Sequence, residues 1–268
     1  MSILWLDEQA GQNAQVCGNK AAILSRLSAR YAVPLGFCIA AHTGAAEIIQ
    51  AYEILSKKLC AKDVSVAVRS SATDEDGQGS SFAGLYASYL NVMGAKHLLE
   101  AVESCLASAA SERVAAYRKK FAPAAQSHIA VLVQQFIPAA CAAVVFSANP
   151  VNGKPDEIII NAHWGLGESI VAGRVMPDTY VFSKVENRIT TQQIGAKSSL
   201  MRPNQGNGMV ETLTPPAMAT ALVLSEAQIF AAAQLALELE HQCGYPVDVE
   251  CAWYNEKLYL LQCRPITT

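Results

Sequence analysis

Charged residues are scarce in this chain, and long apolar runs are missing. Only 16% of the 268 residues are charged and the formal net charge is -3, so there is no basic footprint for nucleic acid. No stretch approaches the roughly 20 apolar residues of a membrane-spanning helix, although 51% of the chain is hydrophobic. The N-terminus, MSILWLDEQAG, is apolar only briefly and carries acids, which speaks against a signal peptide. The eight cysteines include no CxxC pair, and the five histidines form no HExxH or close pair. That argues against zinc and disulfide frameworks and for buried free thiols in a reducing cytoplasm. The length allows one large domain or two lobes. Much of the apolar content is alanine, which suits closely packed helices.

The segment around which the chain is organised runs from Val64 to Val92. Val64–Val68 is β-branched and predicts a strand, and Tyr86–Val92 predicts a second. The polar segment between them, opened by Arg69, is longer than a hairpin needs. Arg69 offers a planar, permanently charged fork suited to phosphate. Ser70, Ser71, Thr73, Ser80 and Ser81 add hydroxyls, and Gly77, Gly79 and Gly84 let backbone N–H groups approach a ligand. The acidic run Asp74-Glu75-Asp76 repels bare phosphate and reads as facing solvent, a metal or a partner. Composition alone is equally consistent with a solvated loop that binds nothing.

Gly18-Asn19-Lys20 precedes a helical pattern with Ile23, Leu24 and Leu27 on one face. Lys20 is thus either an anion ligand at a loop-to-helix junction or an ordinary surface lysine. Val33–Ile39 reads as a turn into a strand, Thr43–Cys60 as a helix capped by Thr43, and Ala95–Phe121 as a helix broken near Ser108–Ser111. His128–Ile137 and Cys141–Ser147 read as strands. Gln134 and Gln135 interrupt the first, and a buried glutamine needs a ligand or a backbone edge as partner. Further strands are expected at Glu157–Asn161, Tyr180–Phe182 and Ile189–Ile194. WGLGES lacks Rossmann spacing; its Glu168 is either a site residue or a helix-start acid. Pro203–Pro216 is expected to be an exposed loop, and Ser225–Gln242 a helix with a capping box, stopped by Gly244.

The last stretch, VDVECAWYNEKLYLLQCRPITT, reads as a hairpin. Asp248 and Glu250 share a face of the first strand, Gln262 and Arg264 a face of the second. A three-residue turn, Asn255-Glu256-Lys257, sets Glu250 opposite Gln262 and Asp248 opposite Arg264; a two-residue turn puts them on opposite faces. The plain alternative is a surface charge ladder with a weak Asp248–Arg264 ion pair.

AVRSSATDEDGQGSSFAGLYASYLNV, together with WGLGES and the terminal QxRPIT, resembles the nucleotide-binding domain of the phosphoenolpyruvate synthase, pyruvate phosphate dikinase and rifampin phosphotransferase family. The resemblance covers nearly the whole chain, although the segment from Lys20 to Arg69 is shorter than the family's. It implies an α+β, ATP-grasp-like fold of two lobes, divided here into residues 1–122 and 123–268, with ATP between them. It implies nucleotide contacts at Lys20, Arg69, Gly84, Ser88, Gln134, Asp248, Glu250, Gln262 and Arg264, with Lys20, Arg69 and Arg264 active in the chemistry. Magnesium would take Glu250 and the Gln262 amide oxygen. The activity implied is transfer of a phosphoryl or pyrophosphoryl group from ATP to a histidine on a partner domain or chain, and onward to a small molecule such as pyruvate or an antibiotic. Gln126-Ser127-His128 is not assigned as that histidine, because no TGG motif precedes it and it enters an apolar strand. An ATP-grasp ligase that activates a carboxylate and a non-catalytic nucleotide-binding module are the alternatives.

Overall fold

Alternation of β-branched residues builds the first sheet. The computed structural model describes residues 2–73, 87–109 and 128–266. These fall into two units, Met1–Phe136 with Pro203–Met209, and Ile137–Arg202 with Val210–Thr268. In unit 1 the strands are β1 (Ile3–Trp5), β2 (Gly36–Ile39), β3 (Val66–Ala72), β4 (Ser88–Val92) and β5 (Ile129–Gln135). They form an antiparallel sheet in the order β1-β2-β5-β3-β4. Val66, Val68, Phe37, Ile39, Val131 and Val133 make one apolar face. Helices α2 (Ala45–Lys58) and α3 (Ala95–Ala109) cover it with Ile48, Tyr52, Leu55, Leu98, Val102 and Cys105. The register puts Arg69, Ser71 and Gln134 on the opposite face, which receives helix α1 (Ala14–Leu27).

Several sequence expectations change here. β3 runs past Val68 to Ala72 because β5 pairs with it up to Ala72–Ile129, so Arg69, Ser70 and Ser71 are strand residues rather than loop. Since β5 lies between β2 and β3, unit 1 continues to Phe136, beyond the division expected at 122/123. Thr43 does not cap α2: its hydroxyl donates to the carbonyls of Ala40 and Ser2, and Gly44 occupies the cap position. The expected extension of α3 beyond Ala109 lies outside the described residues.

The tip of the loop expected to be merely exposed is held within unit 1. Asn91 is buried and adopts φ 55°. Its amide nitrogen donates to the carbonyls of Asn204, Gly206 and Gly208 at 3.1, 2.9 and 2.8 Å, and Gly208 N–H returns a bond to Asn91 O. Strands β10 (Ser199–Pro203) and β11 (Met209–Leu213) flank this tip.

Unit 2 is organised on β6 (Cys141–Phe146), β7 (Glu157–Trp164), β8 (Asp178–Ser183), β9 (Arg188–Gln193), β12 (Val247–Tyr254) and β13 (Lys257–Pro265). Their order is β13-β12-β6-β7-β8-β9, each pair antiparallel. Between them lie the short helices α4 (Glu168–Val171) and α5 (Pro216–Ala219) and the long α6 (Glu226–Cys243). Helix α6 starts with the expected Ser225–Gln228 capping box, stops at left-handed Gly244, and buries Ile229, Ala232, Leu235, Ala236 and Leu239. Its Phe230 meets Phe182 edge to face at 5.1 Å. All eight cysteines are free thiols, six of them buried. Among the described residues no helix is long and apolar enough to cross a membrane.

Candidate functional site

The candidate residues form two sets, one in each unit. In unit 1, α1 is interrupted at Gly18, whose φ of 73° and ψ of 166° are non-helical. The helix restarts beyond it, with Lys20 in its first turn. Lys20 is only 7% exposed, which removes the surface-lysine alternative. Strand β3 carries Arg69, and Ser88 of β4 lies directly opposite it in the register. Gln134 lies on the same sheet face through its pairing with Ala67. It is buried and donates to the Pro34 carbonyl at 3.3 Å, so a backbone edge supplies one of the partners its burial demands. Gly84 and the acidic run lie outside the described residues.

In unit 2 the hairpin β12–β13 sets Asp248 opposite Arg264 and Glu250 opposite Gln262. This is the expected register, reached differently. The turn has two residues, Asn255 and Glu256, both with positive φ (48° and 62°), and pairs Tyr254 with Lys257. A bulge beside Glu250 and Cys251, with Leu261 as the extra residue, then shifts the register by one. The shift restores all four polar side chains to one face.

This patch is not a surface ladder. The Arg264 and Asp248 side chains are 18% and 8% exposed, and Arg264 Nε and Nη2 reach Asp248 Oδ2 at 2.8 and 2.7 Å. Gln262 is buried as well. Among the described residues no cluster of three or more His, Cys, Asp or Glu side chains could hold a metal unaided. One carboxylate and one amide oxygen suit magnesium, which takes hard oxygen ligands and completes its shell with phosphates and water. Glu168 opens α4 and is exposed, as a helix-start acid would be.

Sequence reasoning missed a second polar cluster in unit 2. Asp178 and Lys197 are an ion pair with both side chains fully buried. The carboxylate also accepts from Gly195 N–H at 2.8 Å, Val223 N–H at 2.7 Å and the Tyr180 hydroxyl at 3.2 Å. Burial pushes the Tyr180 hydroxyl up to about 12. His163, also fully buried, places Nδ1 2.9 Å from the Trp164 carbonyl. A carbonyl only accepts, so Nδ1 carries the proton. Nε2 has no hydrogen-bond partner among the described residues.

Burial holds the His163 pKa below its ordinary 6.5, with Lys197 acting in the same direction; the Trp164 hydrogen bond and Asp178 oppose them. The folded protein keeps the ring neutral where the unfolded chain binds a proton. Its contribution to stability is therefore complete above 6.5 and declines as pH falls from there through the folded value. His163→Gln is expected to flatten that acid-side loss, measured as urea midpoints against pH. An unchanged slope would show that His163 is not responsible.

The chain matches the model of the pyruvate phosphate dikinase AMP/ATP-binding domain over residues 43–268. It is 36% identical over 222 residues to a probable phosphoenolpyruvate synthase of Methanocaldococcus jannaschii, covering 82% of this chain and 19% of that protein. It is 38% identical over 233 residues to phosphoenolpyruvate synthase of Pyrococcus furiosus, covering 84% and 28%. The prodigiosin synthesizing transferase PigC of Serratia marcescens is 35% identical over 204 residues, covering 76% and 23%. The chain thus spans less than a third of the length of these relatives. The region matched contains both the Arg69 strand and the hairpin that pairs Glu250 with Gln262, and the chain belongs to the pyruvate phosphate dikinase AMP/ATP-binding domain family.

Proposed function

We propose that this chain is a Mg-ATP-binding phosphotransferase domain of the dikinase type, ATP-grasp-like in fold and cytoplasmic. It passes a phosphoryl or pyrophosphoryl group to a histidine on a partner domain or chain, and from there to a small molecule such as pyruvate or an antibiotic. The observation that carries the reading is the in-register hairpin, Glu250 opposite Gln262 and Asp248 opposite Arg264, within a family described as AMP/ATP-binding. Lys20 and Arg69 would hold phosphate oxygens, with Gly84 and Ser88 beside them and Gln134 toward the base. Glu250 and Gln262 would hold magnesium, which when bound neutralises phosphate charge. Asp248 aims Arg264, whose guanidinium would stabilise charge on the transferring group.

Titration calorimetry tests the binding step. Mg-ATP is expected to bind with a Kd below about 1 mM, in the range of ordinary substrate constants. Chelating the magnesium, or changing Glu250→Ala or Arg69→Ala, should weaken binding at least about tenfold, a loss of about 1.4 kcal/mol. No heat at millimolar nucleotide would instead indicate a scaffold. With a histidine-bearing partner and water, AMP, phosphohistidine and orthophosphate are the expected products. An acyl phosphate or adenylate formed without any histidine would indicate a ligase.

A further inference from the structure

We infer that Ser71 is a positioning residue that sets Lys20 for phosphate binding, an inference that rests on the proposed role of Lys20. The warrant lies in how α1 restarts after Gly18. A helix start leaves its first N–H groups without intrahelical partners, and an N-cap side chain from the same segment usually supplies an acceptor. Here the acceptor comes from another element: the buried Ser71 Oγ of β3 accepts from Ala21 N–H at 3.1 Å.

The rest of the turn is fitted to the same strand end. A Cβ on Gly18 would lie 2.1 Å from the Ser71 carbonyl oxygen, so only glycine allows this approach. Asn19 Nδ2 donates to the Thr73 carbonyl at 2.8 Å. Thr73 is itself fixed to His128: its N–H donates to His128 O at 3.1 Å, and its Oγ1 accepts from His128 N–H at 3.2 Å. Gly18, Asn19 and Ala21 are thus each registered against Ser71 or Thr73, with Lys20 between them. Arg69, two residues before Ser71, shares its sheet face. One strand therefore carries one cation and fixes the direction from which the other leaves its helix.

The test is a double-mutant cycle on Mg-ATP binding by the whole chain, read by calorimetry, with thermal unfolding of every variant as a control. Ser71→Ala is expected to weaken binding about tenfold, the scale of one lost cap. In a Lys20→Ala background the same change should have almost no effect, because Ser71 acts through Lys20. A purely structural serine would weaken binding equally in both backgrounds, and that result overturns the inference. So does an unaltered affinity in Ser71→Ala when Lys20→Ala alone is impaired. If Lys20→Ala itself binds normally, the phosphate role of Lys20 fails first. Should Ser71→Ala not fold, Asn19→Ala interrogates the same contacts through the half-buried Thr73 bond. The same Lys20-dependent loss is expected, and its absence counts against the inference.

Discussion

Changing Arg264 to alanine is expected to slow group transfer by about 10²–10³-fold, the size of a lost charge-stabilising donor. Arg264 is held by two bonds to one oxygen of Asp248, a carboxylate whose side chain is 8% exposed. Its strand partner and the Glu250–Gln262 pair fix it on the face proposed to hold the metal. A guanidinium aimed in this way matters most where charge moves during transfer, so kcat should fall more than affinity. Lys20→Ala, which removes a ground-state phosphate contact, should instead raise KM. The structure adds a stability component: without Arg264 the buried Asp248 carboxylate loses its counterion, so Arg264→Ala should also unfold earlier. Asp248→Asn keeps the guanidinium and loosens its aim, and should give a smaller loss of kcat. Rates of AMP formation with a histidine-bearing partner, taken beside thermal unfolding, separate these effects. Full turnover in Arg264→Ala would return Arg264 to a structural role.

The hairpin shows how far the sequence could be read. Alternation of Asp248 and Glu250 against Gln262 and Arg264 was legible, because side-chain parity along a strand follows from backbone geometry. The turn was not: Asn255-Glu256 places a glutamate at φ 62°, which no residue preference signals. Nor was the bulge at Leu261, which arises in a strand pair whose other side is already bonded to β6. Each moves the register by one residue, so they cancel, and the expected pairing survives. Lys20 was legible as a helix-start lysine but not as a buried one, since the serine that covers that helix start lies 51 positions along, at Ser71, close by only through folding. The Asp178 cluster was invisible for the same reason. Its carboxylate gathers β8, Gly195, Lys197 and Val223, and no local pattern announces that such segments meet.

That cluster carries the largest expected effect on stability. Lys197→Met keeps the length of the side chain and removes its charge. Asp178 would retain the Gly195 and Val223 N–H groups and the Tyr180 hydroxyl as donors. It would lose the buried ammonium that pairs with it. Taking one partner from a buried ion pair strands the other charge away from water, which destabilises by about 3–5 kcal/mol. Asp178→Ala should be at least as damaging, because the buried Val223 N–H and the half-buried Gly195 N–H would also lose their acceptor. The double change Asp178→Leu with Lys197→Met removes both charges, so it should unfold later than the sum of the single changes predicts. Lys197→Met has a second consequence: removing the ammonium relieves one of the influences that lower the His163 pKa, so the ring should titrate higher than in the unaltered protein. Urea unfolding read on unit 2, amide exchange at Gly195 and Val223, and the His163 titration followed by NMR give three independent measurements. If Lys197→Met shifts stability by less than about 0.5 kcal/mol, as an ordinary surface change does, the pair is not what holds these segments on β8.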